Sequence, residues 1–148
     1  MLLLGRLARR LLRRLRTGGR PRRIPGAGRR RPAESVALLS SFATGADKVS
    51  EGALGAVALH ADPAADRALE QFVAASQPEA LRKRAAFWLG SARGRRGYEV
   101  LRRLVREDPS DAVRDRAVFA LSVSKEPEAI DAMIQAARND KSAHVRGQ

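Results

Sequence analysis

The residues that could carry catalysis are few and badly spaced for it. Two histidines, His60 and His144, are the only imidazoles in the 148 residues, and cysteine is absent. Missing thiols exclude disulfides and thiolate metal sites. His60 is followed by Ala61 and His144 by Val145, so neither joins an H-x-x-x-H or His-Glu arrangement able to grip a metal. The serines lack the setting of a nucleophile elbow. The glycine-rich stretch GSARGRRG (90–97) follows a helical pattern and lacks the Lys-Ser/Thr of a phosphate-binding loop, so it reads as a helix connector. Trp88 and Tyr98 are the candidates for stacking on a base, but Trp88 falls beside an apolar stripe and reads as packing. No catalytic, cofactor-binding or metal-ligating residue is assigned, and no cofactor is expected.

What recurs instead is charge. Arg82, Arg114 and Arg146 stand 32 residues apart, and so do Asp108 and Asp140. An arginine row of this kind could hold phosphates or carboxylates. The preferred reading is internal: each arginine pairs with Asp108, Asp111 or Asp140 of its own or the adjacent unit. Exposed pairs of that sort would contribute about 0–1 kcal/mol each and serve to register the units. A second set, Arg67, Glu70, Glu99, Arg102, Arg103, Arg106, Asp131, Gln135 and Arg138, is expected to face solvent along one series of helices. Its mixed signs suit a protein or peptide partner better than a polyanion.

The elements that position these residues follow the same spacing. Val49, Ala53 and Val57 overlay Leu81, Ala85 and Leu89, which overlay Val113, Ala117 and Leu121; Val145 opens a fourth copy. Fixed-period self-similarity is the mark of a repeat array. The apolar positions recur at helical spacing and predict paired helices: 47–59 with 63–75, 79–90 with 97–107, and 111–123 with 127–138. In the second pair Leu81, Ala85, Trp88 and Leu89 form the stripe, leaving Arg82, Lys83 and Arg84 mostly outward. Val100, Leu101, Leu104 and Val105 face in from its partner, as do Leu69, Phe72 and Val73 in the first unit. Pro63 and Pro127 fall near helix starts, where a missing N–H costs nothing. Ser110 and Ser142 read as N-caps, and Gly90, Gly94 and Gly97 as punctuation of one loop. Ser35 to Phe42 reads as the second helix of a preceding unit. The expected architecture is all-α: a right-handed α-solenoid of about three stacked helical hairpins.

Residues 1–32 are different in kind. They hold twelve of the 29 basic side chains, all arginine, and none of the 16 acids, so the rest of the chain is close to neutral. The high pI belongs to this arm. Its first half can be drawn as a cationic helix with Leu4, Leu7, Leu11 and Leu15 on one stripe, suited to anionic lipid or nucleic acid. Its second half carries helix breakers, and the arm is expected to be mostly disordered. A solvated tail, a misread gene start and an organellar transit peptide are the other readings. The run Leu2 to Leu4 is too short for a transmembrane span. No signal fixes the compartment; a cytoplasmic setting is favoured.

DPSDAVRDRAVFAL, residues 108–121, resembles the D-P-x-x-x-V-R-x-x-A-x-x-A-L signature of HEAT repeats, most closely the short bacterial subgroup named after phycobilisome linker and bilin lyase proteins. QPEALRKRAAFWL (77–89) matches less completely, and DKSAHVRGQ (140–148) matches the opening. GADKVSEGALGAV (45–57) departs, with Ser50 where the other copies have arginine. The resemblance divides the chain into the arm, 1–32, and a repeat array, 33–148. The array comprises a partial unit 33–46, units 47–76, 77–109 and 110–141, and an incomplete unit 142–148. Neither end looks capped, so a piece of a longer array, or a partner that completes the stack, is expected, with Ile130, Met133 and Ile134 incompletely covered.

The resemblance implies a noncatalytic protein-interaction scaffold. Nucleic-acid or anionic-membrane association through the arm is the alternative. Enzymes of the bilin lyase or HEAT hydroxylase type are less favoured, since the hydroxylases use repeated His-Glu pairs and this chain has none.

Overall fold

The computed structural model describes residues 31–147, and within them every regular element is a helix. The Arg-rich segment up to residue 30, with its drawn helix and expected disorder, lies outside the described residues. The elements are α1 (Pro32–Ala43), α2 (Lys48–Leu59), α3 (Ala64–Phe72), α4 (Glu79–Ala92), α5 (Gly94–Glu107), α6 (Asp111–Val123), α7 (Ala129–Asn139) and the single turn α8 (Ala143–Arg146). Each helix packs on its sequence neighbour and on the helix two further along. The result is a two-layer stack, a helical solenoid: α2, α4, α6 and α8 form one layer, and α1, α3, α5 and α7 the other.

The 32-residue repeat becomes the seam between layers. Ala53, Ala85 and Ala117 are buried, as are Val57, Leu89 and Leu121. Small residues let the first-layer helices approach closely. At Gly90 a Cβ would lie 2.2 Å from the carbonyl oxygen of Ala120, so α4 and α6 meet there backbone to backbone. Val49 breaks the expected pattern. It is 67% exposed, whereas Leu81, Val113 and Val145 at equivalent positions are buried. Burial at this position requires a first-layer helix on the N-terminal side, and α2 has none among the described residues.

Helix ends obey local chemistry. Asp47 accepts the Ser50 N–H at 2.8 Å and caps α2. Ser110 accepts the Val113 N–H at 3.3 Å and caps α6. Ser142 sits at the N-cap of α8, yet its side chain makes no capping bond. Several boundaries differ from expectation, and α7 opens at Ala129 rather than at residue 127. The helix begun at Pro63 ends at Phe72, although Val73 beyond it stays buried. The supposed loop 90–97 shrinks to Arg93 alone: Gly90 lies in α4, and Gly94 opens α5 at φ +48°, a left-handed conformation that glycine adopts without strain. Gly97 is helical and buried. The extra residues of this unit lengthen its helices rather than their connection.

Candidate partner-binding face

Arg82 and Arg114 of the arginine row are buried, contrary to the expectation of outward side chains and exposed pairs, whereas Arg146 is exposed. Arg82 donates through Nη1 to both carboxylate oxygens of Asp108 at 2.7 Å, and the two side chains are 7% and 1% exposed. Arg114 pairs with Asp140 through Nε at 2.9 Å and Nη2 at 3.1 Å, with exposures of 2% and 4%. The 32-residue period sets each arginine in the first turn of a first-layer helix, beside the aspartate that ends the following second-layer helix. Packing of the two helices then removes the pair from water. Burial changes the energetics: removing one partner of such a pair strands the other charge.

Each aspartate also organises its turn. Asp108 Oδ1 accepts the Ser110 N–H at 2.9 Å, and Asp140 Oδ1 accepts the Ser142 N–H at 2.7 Å. The next arginine reaches back to the carbonyl of the same residue: Arg114 donates to Asp108 O at 2.9 Å and Arg146 to Asp140 O at 2.6 Å. Hydrogen bonds from Arg114, reinforced by the Ser142 N–H, hold the Asp140 carboxyl below the usual carboxylate range against the opposing effect of burial. The same bond raises the Arg114 guanidinium. Asp111 pairs with no arginine among the described residues; its Oδ2 takes a long 3.5 Å bond from Ser142 Oγ, and Glu79 accepts from Ser110 Oγ at 2.8 Å one unit earlier.

At the opposite end of the stack, sequence reasoning missed Arg93 and Arg95. Arg93 donates to Asp66 Oδ1 at 2.7 Å and to the carbonyls of Ala58 and His60 at 3.2 and 2.9 Å, closing the end of α2. Arg95 donates to Glu128 at 2.6 Å, and that bond holds the Glu128 carboxyl below its ordinary value. The guanidinium of Arg95 also lies over the Tyr98 ring, 5.1 Å from its centroid. Neither arginine recurs at the 32-residue period, so repetition could not reveal them. The arginine at a reversal whose neighbour is Gly94 was the available signal for Arg93.

The nine residues expected on the outer surface of the second layer are distributed along α3, α5 and α7. Arg67, Glu99, Arg102, Arg103, Arg106, Asp131, Gln135 and Arg138 are exposed, and Glu70 is half-buried. Glu70 faces Arg96 at 3.6 Å and Glu99 faces Arg95 at 3.6 Å. Gln135 accepts from Asn139 at 2.9 Å. Arg102, Arg106, Asp131 and Gln135 come together around a groove of about 810 Å³ between α5 and α7, with Tyr98 and Lys141 also on its walls. Arg67, Glu70, Glu99, Arg103 and Arg138 lie outside it.

The candidates for chemistry stay apart. His60 closes α2 and accepts the Asp62 N–H at 3.2 Å, while His144 lies in α8, 3.7 Å from Asp115. Trp88 packs partly buried against the core, close enough that a Cβ on Gly55 would stand 2.9 Å from its ring, and makes an edge contact with Phe87. No helix among the described residues is long and apolar enough to cross a membrane. A family model described as HEAT repeats matches residues 67–148. No curated protein and no solved structure matches the chain.

Proposed function

The chain belongs to the HEAT-repeat family, and from that premise we propose that it is a noncatalytic scaffold holding a protein or peptide partner on the face of α3, α5 and α7. HEAT repeats commonly serve as interaction scaffolds. The observation that carries the reading is the exposed, mixed-charge surface of these three helices, set on a stack whose buried arginines are already occupied internally. Stacked repeats present such a surface as one continuous strip. The likeness of residues 108–121 to the bacterial phycobilisome-lyase-like subgroup belongs to the same proposal and carries no lyase activity with it.

The test is affinity capture with the full chain and with a variant carrying Arg67→Glu, Arg102→Glu, Arg103→Glu, Arg106→Glu and Arg138→Glu. A partner captured by the first and lost by the second supports the reading. The same captured set from both overturns it.

The arm supports a second reading, association with nucleic acid or anionic lipid, because twelve arginines stand there without a single acid. Such binding falls steeply with salt. Deletion of residues 1–32 is expected to abolish it, and retained affinity would remove the arm as its source.

A further inference from the structure

We infer that the groove between α5 and α7 is a binding site for an acidic peptide in extended conformation; this rests on the scaffold reading and names the partner's chemistry. The argument begins with which charges are already satisfied. Of the groove's ionic side chains, Arg114 is paired with Asp140 and Glu128 with Arg95. Arg102, Arg106 and Lys141 pair with no carboxylate among the described residues, and Asp131 pairs with no cation there. The unsatisfied balance is three positive charges against one negative.

Position sharpens this. Arg102 and Arg106 stand four residues apart on α5, which puts them on one helix face at about 5–6 Å between Cβ atoms. Both α5 and α7 sit in the second layer and run the same way, so Arg106 and Lys141 fall toward one end of the groove and Asp131 toward the other. The cationic end takes carboxylates. The Asp131 end takes a donor, a backbone N–H or a lysine. A groove along the 11 residues of α7 is about 16 Å long and accommodates about five residues of extended chain. A polynucleotide fits worse, because its regular phosphates would place one against Asp131. Guanidinium groups pair with carboxylates through two parallel hydrogen bonds, giving direction as well as attraction.

The experiment uses the full 148-residue chain and a photoreactive ten-residue peptide of alternating glutamate and alanine, with cross-links mapped by mass spectrometry. Adducts on α5 and α7 are expected. R102E combined with R106E should remove those adducts and weaken binding at least tenfold. D131N should tighten it about two- to fivefold, the scale of a single exposed charge pair. Should the double reversal unfold by circular dichroism, R102Q combined with R106Q is read instead, with the same loss expected.

Adducts confined to residues 1–32, or binding indifferent to the groove substitutions, would overturn the inference. So would displacement of the peptide from α5 and α7 by a tighter-binding single-stranded oligonucleotide. Partner capture that depends on Arg67, Arg103 and Arg138, with no peptide in the groove, would defeat this inference and leave the scaffold reading standing. Partner capture indifferent to those three and to Arg102 and Arg106 together would defeat the scaffold reading on its own.

Discussion

Arg114 makes contacts to two successive turns at once, and its removal should be felt in both. Arg114→Met is expected to destabilise the chain by about 3 kcal/mol, read from denaturant unfolding, because Asp140 would be left buried without its cation. The pair also predicts a pH dependence. The folded Asp140 carboxyl lies below its ordinary value, whereas in the unfolded chain it titrates near about 3.9. Its contribution is therefore complete above the unfolded value and is lost as pH falls toward the folded one. The acid limb of stability, followed below about pH 5, should flatten in Asp140→Asn. An unaltered acid limb would mean that the carboxylate is not the group responsible. The recurrence of Arg82, Arg114, Asp108 and Asp140 was plain in the sequence, but their burial was not. Charged letters in the first turn of a helix read as outward; only the packing of the following helix's end against them encloses the pair.

Among elements, α4 and α6 meet backbone to backbone at Gly90. Ala117→Leu should cost about 1–3 kcal/mol by forcing the first-layer helices apart. Gly90→Ala should be comparably harmful, since its Cβ would collide with the Ala120 carbonyl. Thermal midpoints unchanged in both variants would disprove the close approach. Helix existence was readable throughout, because the apolar positions repeat at helical spacing over three units. The 90–97 stretch was misread as a loop because three glycines look like breakers. Two of them serve contact, Gly90 against Ala120 and Gly97 against Leu89, and only Gly94 needs the unusual backbone. The groove was half legible: four of the nine expected surface residues line it, but which side chains flank the same depression depends on the spacing between α5 and α7, which no single helix pattern encodes.

Over the whole array, burial is greatest in the middle. Six residues of α5 are buried but only two of α7. Ile130 is 60% exposed, where Tyr98, 32 residues earlier in α5, is 5%. Amide hydrogen exchange should be slowest in α4, α5 and α6 and faster in α7, since local opening follows buried apolar contact. Uniform protection would contradict a stack stabilised by neighbours. The fastenings between hairpins are also uneven. Between the second and third, Arg114 reaches the Asp108 carbonyl and Ser110 reaches Glu79. One step earlier the corresponding residue is Pro78, which has no hydroxyl, and the buried Nε of Arg82 finds no acceptor among the described residues. An exposed bond from Arg84 to the Gly45 carbonyl remains on that side, with Arg93 pinning the far side. Anchored firmly along one margin and lightly along the other, that joint is where the stack would open like a book's spine. Under tension applied at its two ends, α1 to α3 should peel away before the rest yields, as a separate early step in a force-extension trace.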